Sequence, residues 1–162
     1  MIWKISKWRN QSEFFHHLRV LFLSLVIVLV SYTFLWAGDC PQPRFTEKAP
    51  PDIYEMVNPL TSSMDNILAG KALYEEKAKP MACKLCHGIK GNGRGGMSMG
   101  VHPQPRNFTC EKTINDVPDG QLFWIIENGS QGTGMPAFED LEDEEIWQLI
   151  LYIRKLAHSE IT

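Results

Sequence analysis

Strand-forming sequence is missing from this chain. No run alternates apolar and polar side chains convincingly enough to read as a half-buried strand. There is no surplus of basic charge either, since 16 Lys and Arg stand against 19 Asp and Glu. That removes the basic face a nucleic-acid partner demands. Cysteine is scarce, four in 162 residues, and only one pair shares a motif. A tetrahedral zinc site needs four ligands, so it would have to recruit Cys40, Cys110 or His102, none of which lies in a second paired motif. There is no internal repeat. Residues 88–96 are rich in glycine, yet they lack the Lys-Ser/Thr ending and the preceding strand of a phosphate loop. No acid, base or nucleophile constellation stands out for substrate chemistry.

What is there centres on Cys83-Lys84-Leu85-Cys86-His87. Two cysteines three apart, followed at once by histidine, form the signature of covalent haem attachment. The spacing lets both thiols reach the vinyl groups along one porphyrin edge, while the next side chain offers its imidazole to the iron. A thioredoxin-like redox pair shares the cysteine spacing, but it needs no adjacent histidine and expects a βαβ context that is missing here.

The charge is unevenly placed. The first 37 residues carry Lys4, Lys7, Arg9 and Arg19 against Glu13, leaving 12 basic and 18 acidic residues from Gly38 onward. After the basic leader, Val20 to Ala37 is an uncharged run of 18 residues. As a helix it would span about 27 Å, just enough for a bilayer core. The flanking charges predict a cytoplasmic N-terminus with the remainder outside. A retained anchor is the preferred reading over a cleaved signal peptide, whose apolar core is usually shorter; Cys40 after Asp39 fits a lipoprotein site poorly. Either way the following domain is exported. Residues 38–61 hold five of the ten prolines and predict an extended linker. It serves equally as a tether or as a segment wrapped on its own domain or on a neighbouring subunit, with Tyr54, Met56 and Val57 to bury.

Residues 62–162 form the third unit. Ser62 or Ser63 can cap a helix from about Met64 to Ala78, in which Gly70 and Tyr74 lie one turn apart. A glycine there costs about 1 kcal/mol relative to alanine and predicts close approach by another helix. The partner is the last helix, where Ile146, Leu149, Ile150, Ile153 and Leu156 make a stripe beside Trp147 and Tyr152. The acidic run Glu139–Glu145 reads as the start of that helix, with Arg154, Lys155 and His158 at its other end. Asp119 is expected to cap a buried helix closed by Gly129. Gly134-Met135-Pro136 supplies a second axial ligand: a thioether favours reduced iron, and the proline would stiffen its loop. Met97, Met99 and His102 are the rivals.

Residues 64 to 158 resemble a bacterial class I c-type cytochrome with one haem. The resemblance rests on Gly70-x-x-x-Tyr74, Cys83-x-x-Cys86-His87-Gly88, Pro103-Gln104-Pro105-Arg106-Asn107-Phe108, Gly134-Met135-Pro136-Ala137-Phe138, and Glu144-Glu145-Ile146-Trp147 leading to Tyr152-Ile153-Arg154. It implies an all-α fold around one haem c, with the terminal helices crossed at Gly70 and Tyr152. It implies that the carbonyl of Pro103 or Pro105 accepts the proximal imidazole N–H, and places Arg106 within reach of a propionate. Two departures stand out. The segment between Tyr74 and Cys83 is long. Cys110 replaces an expected polar residue: inert and buried is the first reading, followed by a disulfide to Cys40 and then a thiolate ligand. The expected function is one-electron transfer between redox protein partners, with His87/Met135 ligation, in the periplasm on the outer face of the inner membrane. The alternatives are an electron-entry subunit of a larger membrane oxidoreductase and, behind it, a haem-based gas binder.

Overall fold

The computed structural model describes residues 15–26, 40–43 and 46–158. Two compact units divide the chain, residues 1–37 and 38–162. In the first, residues 15–26 are helical (α1) with exposed side chains. Among the described residues no helix is long and apolar enough to cross a membrane. The anchor expected over Val20 to Ala37 lies largely outside the described residues, as does the alternative cleavage site at Leu35-Trp36-Ala37.

The second unit is all-helical, with no strand among the described residues. Short α2 (Pro51–Tyr54) is followed by α3 (Met64–Ala72), which runs into a π-helical turn at Leu73–Lys77. Then come α4 (Lys84–His87), α5 (Glu111–Asn115), α6 (Asp119–Asn128) and α7 (Asp143–Ala157). Of the two candidate caps, Ser63 is the one used, accepting the Asn66 N–H at 3.2 Å. The expected first helix therefore reaches Lys77, but its last turn widens, and Ala78 donates to the Leu73 carbonyl five residues back at 3.1 Å. That is how the long segment before Cys83 is accommodated.

α3 packs on α7. A Cβ on buried Gly70 would collide with the carbonyl oxygen of Gln148, so the backbones touch where glycine predicts they should. Tyr152 lies one turn further along α7, edge-on to Tyr74 with ring centroids 5.3 Å apart. Every residue of the α7 stripe is buried, together with Trp147 and Tyr152. The acidic stretch before it makes a reciprocal cap: the Glu142 carboxylate takes the Glu145 N–H, while Glu145 takes that of Glu142.

Asp119 does not cap α6. Pro118 occupies that position without a side-chain bond, and Asp119 faces Arg154 of α7 instead, accepting from its Nε at 3.0 Å. The same guanidinium donates to the Ile114 and Val117 carbonyls, so a cation on the last helix closes the end of α5 and the turn after it. Leu122, Phe123 and Ile126 are buried, whereas Trp124 and Ile125 are only half-buried. Gly129 ends the helix at φ 74°.

The proline-rich segment wraps the domain. Cys40 is disulfide-bonded to Cys110 across a separation of 70 residues. That replaces the inert-thiol reading of Cys110 and removes both cysteines as metal ligands. The thiolate alternative goes with them, and the zinc alternative loses two of its three candidate recruits. The Gln42 backbone N–H donates to Thr113 Oγ1 at 3.0 Å, and that of Ala49 to Gln121 Oε1 at 2.9 Å. α2 lies on α6 with the Ile53 carbonyl where a Cβ of Gly120 would fall, and Asn58 donates to the Trp147 carbonyl at 2.9 Å. Side chains on both sides of the contact hold the proline-rich segment down, joined by the Gly120 N–H donating to the Met56 carbonyl at 3.1 Å.

Candidate haem-binding site

The haem motif occupies the single turn of α4, fixed from both sides. The Tyr74 hydroxyl donates to the Gly88 carbonyl at 2.6 Å, and burial pushes that phenol well above its ordinary range, keeping it a donor. From the other side the glycine-rich stretch folds back. The Gly93 amide donates to the His87 carbonyl (2.8 Å), Gly95 to Cys86 (2.9 Å) and Met97 to Leu85 (2.8 Å). A Cβ on Gly95 would collide with the Leu85 carbonyl, so glycine allows this approach. The stretch that superficially suggested phosphate binding holds the haem motif in place.

Cys83 and Cys86 are free thiols, each half-buried. They line a largely apolar cavity of about 340 Å³ together with His87, Met135, Phe138 and Leu149. Burial pushes the Cys83 thiol up to about 12. His87 is buried, and its imidazole is pushed down to about 4, foremost by burial. It is therefore neutral near pH 7, the form that ligates metals. Its Nδ1 lies 3.0 Å from the Arg106 carbonyl oxygen, leaving Nε2 as the nitrogen available to a metal. Phe108 stacks on the ring at 4.3 Å between centroids and 16° between planes.

That acceptor corrects the expectation that Pro103 or Pro105 would supply the carbonyl. The Pro105 carbonyl is directed elsewhere and takes Gln42 Nε2 at 3.4 Å, so the next residue's carbonyl is the one presented to His87. Pro103, Pro105 and Arg106 all line the cavity. Met97, Met99 and His102 do not, and all three are exposed. Met135 does, and its loop is closed by its own hydrogen bonds. The Met135 N–H donates to Thr133 Oγ1 (3.1 Å), that hydroxyl to the Ser130 carbonyl (2.7 Å), and the Ser130 N–H to the Met135 carbonyl (3.1 Å). Thr133 and Gln42 were not singled out from sequence, because nothing in a loop's composition reveals which hydroxyl or amide closes it.

Two thiols, a neutral imidazole and a thioether on one apolar cavity are the donor set of a covalently held haem with soft sixth ligation, and the residues present fit that group. The class is therefore that of c-type cytochromes. Residues 65–153, more than half of the chain, match the family described as cytochrome c oxidase, cbb3-type, subunit III, and the chain belongs to that family. Haem c with its iron is its cofactor. The chain is 30% identical over 107 residues to the quinohemoprotein alcohol dehydrogenase ADH IIB of Pseudomonas putida, a match covering 65% of this chain and 13% of that protein. It is also similar to a chain in the structure of the reducing HAO-like protein complex of Kuenenia stuttgartiensis, at 29% identity and a TM-score of 0.53, covering 76% of this chain and 53% of that one. This chain thus spans a small part of the first relative and about half of the second.

Proposed function

We propose that the protein is a one-electron carrier whose single haem is bound through Cys83 and Cys86, with His87 and Met135 as axial ligands and Arg106 beside a propionate. The observation that carries this is the shared cavity: both free thiols, the neutral imidazole and Met135 line it together. When bound, haem c supplies a reversible ferric–ferrous couple. The protein's part is to hold that couple still. The Arg106 carbonyl fixes the imidazole tautomer and orientation, the bonded 130–135 loop positions the thioether, and Leu149, Phe138 and Ile153 exclude water. With His87 and Met135 both as ligands, the chain would leave a substrate no open coordination, which sets this reading against a gas binder.

A second reading, a fixed electron-entry subunit of a larger oxidoreductase, has its own support. The family is named for an oxidase subunit and the structural neighbour belongs to a complex. The proline-rich segment is also fastened to the domain from Cys40 onward, which takes from it the reach of a free tether. We place the domain in the periplasm, exported behind an N-terminal anchor, on the strength of the uncharged run from Val20 to Ala37.

Denaturing gels stained for haem peroxidase activity should show a band at the mass of the 18.5 kDa chain, and at a clearly lower mass where residues 1–37 have been removed. Haem extractable by acid-acetone overturns the reading. Membranes washed with carbonate should retain the protein, and a mature N-terminus at Gly38 would end the anchor reading. Native purification separates carrier from subunit by whether partner chains stay bound.

A further inference from the structure

Two buried side-chain oxygens among the described residues have no hydrogen-bond partner, Thr46 Oγ1 and Ser130 Oγ. Both residues line the haem cavity. An unsatisfied buried hydroxyl costs stability, so two of them on one cavity mark a missing acceptor. Haem c carries acceptors suited to the role, its two propionate carboxylates. Ser130 belongs to the loop that bears Met135. Thr46 does not: it lies 19 residues before the family-matched stretch begins at residue 65, on the wrapped segment. That segment is pinned close to Thr46 on both sides, by the Cys40–Cys110 disulfide and Gln42 before it and by the Ala49–Gln121 bond after it. Gln42 reaches the loop that faces His87, its Oε1 accepting the Asn107 N–H at 2.6 Å, and Gln42 and Pro43 line the same cavity.

We infer that Thr46 is a haem-binding residue whose hydroxyl donates a hydrogen bond to a haem propionate, making the disulfide-pinned segment part of the cofactor site. This rests on the covalent-haem reading above. A neutral donor at a carboxylate draws off part of its negative charge, and negative charge near iron favours the ferric state. Losing the donor should therefore lower the reduction potential.

The test uses the full-length holoprotein as wild type, Thr46→Val and Thr46→Ser. Covalent haem content is measured first: a chain without covalent haem ends the parent reading, whatever Thr46 does. With haem present, resonance Raman spectra should show the propionate bending band displaced in Thr46→Val, with a smaller shift on transfer to D2O. The midpoint potential should be lower than in wild type. Thr46→Ser, which keeps the hydroxyl, should restore both. Should the valine variant fail to accumulate, Thr46→Ala carries the same comparison. A valine or alanine variant matching wild type in band and potential overturns the inference. So does a serine variant displaced as far as valine, because the effect would then follow packing rather than the hydroxyl.

Discussion

Gly70 is a residue at which the fold tolerates no side chain. The collision there is between a β-carbon and a backbone carbonyl, that of Gln148, so side-chain repacking cannot relieve it. Overpacking of this kind costs about 1–3 kcal/mol, set against the roughly 1 kcal/mol of helix propensity that alanine gains. Denaturant unfolding should rank wild type above Gly70→Ala and Gly70→Val lowest, with the sulfur-to-iron charge-transfer band lost at lower denaturant in the same order. Variants as stable as wild type would disprove the crossing. Met135→Ala should abolish that band and admit carbon monoxide to the reduced iron. An unchanged spectrum would disprove the ligand.

Arg154 belongs at this scale too. It bonds the Asp119 carboxylate and two carbonyls while keeping only 23% side-chain exposure. Arg154→Leu strands the Val117 carbonyl and leaves that of Ile114 only its backbone donors, and hydrogen bonds to charged groups are worth about 1.5–3 kcal/mol each in a protein. A loss of at least 2 kcal/mol by denaturant unfolding is expected. Asp119→Asn should cost less, since Arg154 keeps its two carbonyls.

Among the elements, those with periodicity were readable and those without it were not. The α7 stripe and the Gly70–Tyr74 face could be placed because helical spacing fixes which residues share a surface. The haem motif could be placed because its chemistry is written in consecutive residues. The glycine–proline setting points to Met135, which lines the cavity, whereas Met97, Met99 and His102 are exposed and do not. The proximal acceptor fell one residue from its expected position, since a carbonyl's direction depends on the backbone angles of a proline-rich loop and not on its composition. The Cys40–Cys110 pairing spans 70 residues, and nothing local encodes it. Thr46 was invisible for the same reason. Disulfides of this reach stabilise by about 2–4 kcal/mol. Replacing Cys40 and Cys110 together by serine should lower stability by that much, and hydrogen exchange at the Ala49 amide should accelerate as the segment loosens. Unchanged exchange would show that the side-chain bonds alone hold it.

Across the whole second unit, contacts run over the compositional boundary at residue 61. Asn58 bonds the Trp147 carbonyl, and Cys40 bonds Cys110. A fragment of residues 38–162 should therefore unfold at higher denaturant than one of residues 62–162, which also leaves Cys110 unpaired. Equal midpoints would make the wrapped segment an ornament.

The acceptor that fixes His87 is a main-chain oxygen, the Arg106 carbonyl. All twenty amino acids carry that oxygen, so no missense change at position 106 can delete it. Evolution can therefore revise the charge at this position while leaving the imidazole's anchor in place. The chain can drift in its electrostatics at position 106 and still inherit the same proximal geometry. Losing that geometry requires moving the loop itself.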